Sequence, residues 1–198
     1  MQIFFVTHPE VVVDPLVPVP EWGLSPAGRS RLGHLLAQPW VRDLSAVVSS
    51  TERKAVETAE ALATAVGVPR TTDEDLGEND RSATGFLPPA EFEAVADEFF
   101  ARPEASVRGW ERAVDAQHRI VQAVGRVAAA AAGDVAVVAH GGVGALLLCS
   151  LLRVPIDRRY DQPGQGSWFR FDAATGEVAH GWRRLEAAEG RTSSSGRG

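Results

Sequence analysis

The sequence predicts an α/β fold in which a mostly parallel sheet carries helices on both faces. Three short apolar runs, at 3–6, 46–49 and 135–139, are typical of strands buried on both sides. Between them lie longer segments whose apolar residues recur at helical spacing. Because parallel strands need a crossover connection, which is usually a helix, this alternation favours a parallel sheet.

Five helices are predicted from capping residues and apolar periodicity. A serine followed by proline, Ser25-Pro26, is a typical helix start, and Gly67 is a typical helix end. Paired prolines at 88 and 89 open the third helix. In chain order, the helices are expected over 25–37, from about 50 to 67, from 88 to 99, over about 110–131, and over 143–152.

The carboxyl-terminal part predicts a β-hairpin and then a tail. Two strands are expected at 168–172 and 177–182, joined by a short turn that contains glycine. Residues 188–198, which are rich in serine and glycine, are expected to be a disordered tail. A chain of 198 residues that is 44% hydrophobic can bury a full core, so we expect one domain over residues 1–187.

Composition argues against several classes of partner. A formal net charge of −6 and a pI near 5.4 disfavour nucleic acids and acidic membrane surfaces, although a small anionic ligand stays compatible. The longest apolar run, 143–152, is too short to span a membrane, and no signal peptide is visible. A single cysteine offers no disulfide framework, so we expect a cytoplasmic protein; a homodimer stays open.

Two histidines follow buried strands directly. His8 comes after the first apolar run and His140 after the run at 135–139. The carboxyl ends of strands are where ligands bind in open α/β sheets, so one site built from both ends of the chain is expected. A third strand end, at Ser49, leads into a helix start and Arg53, both of which suit an anion.

The residue pattern narrows the chemistry of this site. Cys149 lies in an apolar helical run, and no Cys-x-x-Cys or His-x-x-x-His spacing predicts a metal centre. No Gly-x-Ser-x-Gly motif is present, and the glycines after His140 lack the spacing of a dinucleotide loop. Two histidines, an arginine and a helix start fit phosphoryl transfer through a histidine better than these alternatives.

Four short motifs occur in order along the chain. They are Thr-His-Pro-Glu at 7–10, Leu-Ser-Pro-Ala-Gly-Arg at 24–29, a serine–arginine–Thr-Ala segment within 49–59, and Val-Ala-His-Gly-Gly-Val at 138–143. They resemble motifs of the histidine phosphatase superfamily, also called the phosphoglycerate mutase-like family, whose corresponding first and third motifs are Arg-His-Gly-Glu and Ser-x-x-x-Arg-x-x-x-Thr-Ala. The third match assigns the family arginine to Arg53.

The resemblance implies a three-layer α/β/α sandwich whose mostly parallel sheet has an antiparallel edge strand. It also implies that His8 is the nucleophile that accepts a phosphoryl group, while Arg53 and His140 hold the phosphate oxygens. The family's general acid stands in a Leu-x-Glu context, which points to Glu78 first and Asp80 second. The implied ligand is a small phosphorylated substrate or phosphate, and no metal or other cofactor is implied.

Two departures from the family stand beside His8. Thr7 replaces an arginine, and Pro9 replaces a glycine and lacks a backbone N–H. Thr7 is expected to contact the phosphate through one hydroxyl, without the arginine's charge-assisted hydrogen bond, worth roughly 1.5–3 kcal/mol. Arg81 is near enough in sequence to Glu78 to be a candidate replacement.

Three functions therefore compete. A weakened phosphomonoesterase is favoured. A mutase of the phosphoglycerate type shares the first half-reaction, although this chain is short for the family's mutases. The third candidate is a non-catalytic binder of phosphorylated ligands, since the charged residue at position 7 is gone. Turnover of an aryl phosphate separates the first from the third, and dependence on a bisphosphoglycerate primer identifies the mutase.

Overall fold

A computed structural model describes residues 1–187, in which a six-stranded sheet is flanked by five α-helices. The sequence-predicted tail at 188–198 lies outside the described residues. The strands are β1 (Gln2–Thr7), β2 (Ala46–Ser49), β3 (Arg70–Thr72), β4 (Val135–Ala139), β5 (Ser167–Asp172) and β6 (Val178–Arg184). The helices are α1 (Pro26–Leu36), α2 (Arg53–Val66), α3 (Pro89–Ala101), α4 (Ala113–Ala130) and α5 (Gly141–Leu152).

The sheet order is β3-β2-β4-β1-β5-β6. Strands β1 to β4 pair in parallel, whereas β5 is antiparallel to β1 and β6 is antiparallel to β5. This arrangement confirms the predicted fold class, and the antiparallel edge is a two-stranded hairpin. Strand β3 was not predicted, because its three residues are polar and exposed and carry no alternating pattern.

Alternate residues of β1 supply the two sides of the core. Ile3 and Phe5 pack in a cluster with residues of α3, α4 and α5, whereas Phe4 and Val6 pack in a second cluster with residues of α1 and α2. Successive side chains of a strand point to opposite faces, so a strand apolar at every position must be covered on both sides. The predicted three layers follow from this burial.

Helix α5 packs against the centre of the sheet through a glycine. A Cβ atom on Gly144 would lie 2.7 Å from both Phe5 Cε1 and Trp182 Cη2, which is too close for any side chain. The helix is apolar all round because nearly all of it is buried. In the part of the chain that the structure describes, no helix is both long enough and apolar enough to cross a bilayer.

Candidate active site

The two histidines meet at the carboxyl ends of neighbouring strands. Thr7 pairs with Ala139 in the parallel register of β1 and β4, so the next residue of each strand is a histidine. The ring centroids of His8 and His140 are 5.3 Å apart. The site predicted from the two ends of the chain is therefore assembled by strand pairing.

His8 is held in one tautomer. Its Nδ1 lies 2.8 Å from the carbonyl oxygen of Pro9, which can only accept, so Nδ1 carries the hydrogen and Nε2 carries the lone pair. Burial lowers the pKa of His8 to about 4, and the positive charges of Lys54 and Arg81 act in the same direction. At neutral pH the ring is therefore uncharged, with a nucleophilic Nε2.

His140 is more deeply buried and differently bonded. Its Nε2 lies 2.7 Å from Ser50 Oγ and 3.2 Å from Glu52 Oε1. Burial lowers the pKa of His140 well below the ordinary value, and the attraction of Glu52 only partly offsets this. Among residues 1–187, its Nδ1 has no hydrogen-bond partner.

Lys54, and not Arg53, belongs to this site. Arg53 is exposed over 59% of its side chain, and its Nε donates to Glu57 Oε1 at 3.0 Å on the surface of α2. Lys54 is 4% exposed, and its Nζ donates to the carbonyl oxygen of Val19 at 3.0 Å and pairs with Glu52. The predicted phosphate contact by Arg53 is therefore not made in this arrangement, because one step along a helix turns a side chain by about 100° and places Arg53 outside the cavity.

A signal for Lys54 was present in the sequence. In the family pattern the cation stands four residues after the serine and four before the threonine. Counting back from Thr58 reaches Lys54 and then Ser50, whereas Arg53 satisfies only the spacing to Ser49. Because a lysine stands where the family pattern has an arginine, the neighbouring Arg53 was matched to the pattern instead, one residue out of register.

Glu52, which the sequence did not single out, inserts a carboxylate between the cation and His140. Its Oε1 accepts a hydrogen bond from the backbone N–H of Glu78 at 2.8 Å, and its other oxygen pairs with Lys54. Burial opposes ionisation, but the attractions to His140 and Lys54 are stronger and lower the pKa of Glu52 to about 2. Part of the positive charge that would face a phosphate is thus already neutralised.

The carboxylate of Glu78 lies at the N-terminus of α5. Its two oxygens accept hydrogen bonds from the backbone N–H groups of Gly142, at 3.1 Å, and Val143, at 3.0 Å. A Cβ on Gly142 would lie 2.8 Å from Glu78 Oε1, so the glycine permits this approach. Asp80, the second predicted acid, is exposed and accepts instead from the N–H of Ser82 at 2.8 Å.

Thr7 does not face the cavity that contains His8. The residue is fully buried, its hydroxyl donates to Gln162 Oε1 at 2.6 Å, and it accepts from the N–H of Ser167 at 2.9 Å. The hydroxyl is therefore engaged beneath Gln162, and the predicted phosphate contact by Thr7 is not made in this arrangement. Gln162 itself lines the cavity.

Arg81 does line the cavity. Its Cζ lies 5.0 Å from the ring centroid of Phe92 and 5.9 Å from that of Trp110, distances that suit cation–π contacts. Its charge also lowers the pKa of both His8 and His140. Among the predicted residues, the structure thus places His8, Glu78 and Arg81 on the cavity and His140 beside His8.

The cavity has a volume of about 280 Å³ and a mixed lining. Its apolar wall contains five aromatic side chains from outside the sheet, and its lining carries both signs of charge. The aromatic residues are Trp22, Phe92, Phe99, Phe100 and Trp110, with Phe99, Phe100 and Trp110 almost fully buried in the core. The charged residues are Lys54, Glu78, Arg81, Glu93, Arg158 and Asp161.

Asp161 is a further cavity residue that sequence reasoning missed. It lies in the loop before β5, and its Oδ1 accepts from the backbone N–H of Gln162 at 2.7 Å. Burial raises the pKa of Asp161 to about 6, and the charges of Glu78 and Glu93 add to this effect. An aspartate followed by Gln-Pro-Gly is typical of a turn, so no local signal distinguished it.

Residues able to form a metal centre do not come together. Among the described residues, no group of three or more histidine, cysteine, aspartate or glutamate side chains could hold a metal ion. Cys149 is buried in α5.

Residues 18–180 match the family model described as Histidine phosphatase superfamily (branch 1). A comparison with the curated proteins finds no match. The family match covers Lys54, Glu78, Arg81 and His140, and it begins after His8.

Several solved structures share the fold. Bacillus stearothermophilus YhfR is 24% identical with a TM-score of 0.75, over 91% of this chain and 94% of that one. A mycobacterial glucosyl-3-phosphoglycerate phosphatase with inorganic phosphate is 23% identical with a TM-score of 0.73, over 94% and 99%. A putative α-ribazole-5'-P phosphatase from Escherichia coli is 18% identical with a TM-score of 0.71, over 90% and 94%.

Proposed function

Because the chain belongs to the histidine phosphatase superfamily, we propose that it is a hydrolase that cleaves a small-molecule phosphomonoester through a phosphohistidine at His8. The observation that carries the proposal is the state of His8, which is uncharged and has its Nδ1 bound to the Pro9 carbonyl oxygen. That bond leaves Nε2 as the nucleophilic atom of a residue that lines the cavity. The names of the mycobacterial and Escherichia coli neighbours also denote phosphatases of small phosphate esters.

Lys54 and Arg81 hold the phosphoryl oxygens in this proposal. Both cations line the cavity, and each is near enough to lower the pKa of His8 and of His140. Phosphoryl transfer depends mainly on positioning and on stabilising the charge of the equatorial oxygens. In this proposal Arg81 supplies the positive charge that Thr7 lacks. His140 stabilises the same phosphoryl group from behind His8.

The reaction has two steps. In the first, the bond from phosphorus to Nε2 of His8 forms while the bond to the ester oxygen breaks, and the departing oxygen receives a proton from a carboxyl group. In the second, that carboxylate takes a proton from water as the water oxygen bonds to phosphorus and the bond to Nε2 breaks. Glu78 was the carboxyl group expected from the sequence, and it lines the cavity.

The proposed enzyme is slow for its superfamily. Thr7 provides no cation, and Lys54 supplies a point charge where a guanidinium could bind two oxygens at once. Glu52 pairs with Lys54 and so reduces the charge available to substrate. Removal of one transition-state contact typically lowers the rate by on the order of 10²–10³.

A non-catalytic binder of phosphorylated ligands is the second candidate, and Glu52 is the observation that favours it. An ionised carboxylate 3.2 Å from His140 Nε2 and paired with Lys54 repels a dianionic group. A site that only needs to bind a ligand of lower charge tolerates this carboxylate, whereas a transition state with charge spread over three oxygens does not.

The test is to trap the intermediate. The purified protein is mixed with 2,4-dinitrophenyl phosphate, quenched without acid, and digested for mass spectrometry of phosphohistidine. We expect one label, at His8, together with release of phosphate. The His8→Ala variant should lose both, and the matched variant His34→Ala should keep both, because His34 is exposed on α1.

Three results contradict the proposal. Full hydrolysis by His8→Ala excludes His8 as the nucleophile. Tight binding of inorganic phosphate with neither a label nor turnover in the unmodified protein identifies the binder instead. Dependence of turnover on a bisphosphoglycerate primer would identify a mutase.

A further inference from the structure

Three carboxyl groups line the cavity with His8, those of Glu78, Glu93 and Asp161, and Glu78 and Asp161 are bonded differently. Both oxygens of Glu78 accept backbone hydrogen bonds from the first turn of α5. These N–H groups are among the four that a helix cannot satisfy internally, so Glu78 caps α5. To donate a proton, one oxygen of Glu78 would have to carry a hydrogen and give up part of this cap.

Asp161 does not cap a helix with both of its carboxylate oxygens. Its Oδ1 accepts from the N–H of Gln162, whereas within residues 1–187 its Oδ2 makes no hydrogen bond or ion pair. The nearby cation, Arg158, is engaged by Glu93 and Asp97. Glu93, the third cavity carboxyl group, is 61% exposed and paired with Arg158. Oδ2 of Asp161 is therefore the half-buried carboxyl oxygen of the cavity that can carry a hydrogen without breaking a contact.

The loop that carries Asp161 is fixed beside the phosphoryl site. The adjacent Gln162 accepts the hydrogen bond of the Thr7 hydroxyl, directly before His8 in the chain. Gln162 also covers the start of α5, since a Cβ on Gly141 would lie 2.3 Å from its Nε2. Asp161 thus lies on a segment that contacts both strand ends of the site.

The charges around Asp161 favour its protonated form. Glu78 and Glu93 face it with like charge, whereas the hydrogen bond from the Gln162 N–H and the positive charge of Arg158 act in the opposite direction. Together with burial, which is the largest influence, they raise the pKa of Asp161 to about 6. A donor whose pKa lies near the working pH is suited to general acid catalysis.

We propose that Asp161, and not Glu78, is the proton donor to the leaving oxygen, with Glu78 acting as a positioning residue that caps α5. This inference rests on the proposed function. As the bond from phosphorus to the ester oxygen breaks, the proton of Asp161 moves to that oxygen, which leaves as an alcohol. The resulting carboxylate then removes a proton from the water that attacks phosphohistidine.

Leaving-group dependence tests the assignment. A poor leaving group, such as the alcohol of an alkyl phosphate, needs the proton, whereas 2,4-dinitrophenolate leaves without it. We expect Asp161→Asn to lower kcat/KM for an alkyl phosphate by on the order of 10²-fold or more, and for 2,4-dinitrophenyl phosphate by less than about fivefold. Asp157→Asn is the matched control on the same loop, since the Asp157 side chain is half-exposed and paired with Arg159, and it should leave both values unchanged.

The pH profile gives an independent readout. With the alkyl ester, the rate of phosphohistidine formation in the unmodified protein should fall as the pH rises through about 6, because Asp161 loses its proton. Asp161→Asn should lack this decrease, while ionisation of the substrate affects both proteins alike. Asp161→Ser repeats both measurements if the asparagine variant does not unfold cooperatively.

The outcomes separate the two proposals. Absence of phosphohistidine in the unmodified protein overturns the proposed function itself. If the label forms, an equal loss on both esters, or no loss, in the Asp161 variants overturns the role of Asp161. A loss confined to the alkyl ester in Glu78→Gln, and absent from Asp161→Asn, overturns it too and assigns the proton to Glu78.

Discussion

His8 and His140 occupy equivalent places at the ends of neighbouring parallel strands, yet their surroundings differ. His8 donates from Nδ1 to a backbone carbonyl and lines the cavity. His140 is bonded at Nε2 by Ser50 and approached there by Glu52, behind the cavity. Position along a strand therefore does not determine what a histidine does; the partner of each ring nitrogen does.

The two sides of the site also differ in charge. On the side of β1, a neutral threonine and its hydrogen-bonded glutamine lie next to His8. On the side of β2 and α2, a lysine and a glutamate neutralise each other. Substitutions on either side test whether this difference in charge controls activity.

The largest effect is expected from His140→Gln. Under the proposed function, His140 stabilises the transferring phosphoryl group, so its loss should lower kcat/KM by on the order of 10³-fold while His8 is still labelled. Rapid-quench detection of phosphohistidine checks this. If His8 were not labelled in this variant, phosphorylation of His8 would require His140, and the two histidines would not have separate roles.

An arginine at position 7 should restore activity only when space is made for it. Because Gln162 covers Thr7, we expect Thr7→Arg alone to gain little, and Thr7→Arg with Gln162→Ala to raise kcat/KM by on the order of 10²-fold. Steady-state kinetics with an aryl phosphate is the measurement, with Gln162→Ala alone as control. A full gain from Thr7→Arg alone would show that the cavity already has room for the guanidinium.

The buried, uncharged His8 should make folding stability depend on pH. The pKa of His8 is lowered on folding from 6.5 to about 4, so the unfolded chain binds the extra proton between these values. Stability should therefore decrease as the pH falls from 6.5 to 4, by about 3 kcal/mol from this residue. Urea unfolding of the protein and of His8→Gln checks it, and equal pH dependences in both would contradict the shift.

The smallest effect is expected from Arg53→Gln. Its exposed pair with Glu57 should contribute less than about 0.5 kcal/mol to the free energy of unfolding, and kcat/KM should be unchanged. Lys54→Gln, one position along α2, should lower kcat/KM by about tenfold or more, since it removes a buried charge that lines the cavity with His8. If Arg53→Gln lowered kcat/KM more than Lys54→Gln, Arg53 and not Lys54 would be the residue of α2 that faces the cavity.

Much of the fold could be read from local patterns. The runs that became β1, β2 and β4 are apolar at nearly every position, which indicates burial on both faces, and Ser25 and Gly67 mark helix ends by their capping preferences. Strand β3 could not be read in this way. Its residues are exposed and polar, and it forms because its backbone pairs in parallel with the edge of β2.

The site was predictable only in part, for a reason visible at α2. The sequence placed a cation near the end of β2, but the choice between Arg53 and Lys54 depends on where the helix starts, and a shift of one residue exchanges the cavity for the surface. Asp161 and Gln162 carry no local signal because they reach the site from a loop more than 150 residues away from Thr7 in the chain.

By itself, the sequence determined the layered α/β fold and the pair of strand-end histidines, because both are encoded in short-range periodicity and in the order of motifs. Only the tertiary structure decided which cation faces the cavity, that Glu52 neutralises it, and that Glu78 caps a helix while Asp161 accepts a single hydrogen bond within the described residues. Those outcomes depend on hydrogen bonds and charges between segments distant in sequence, and such contacts form only when strand pairing brings the segments together.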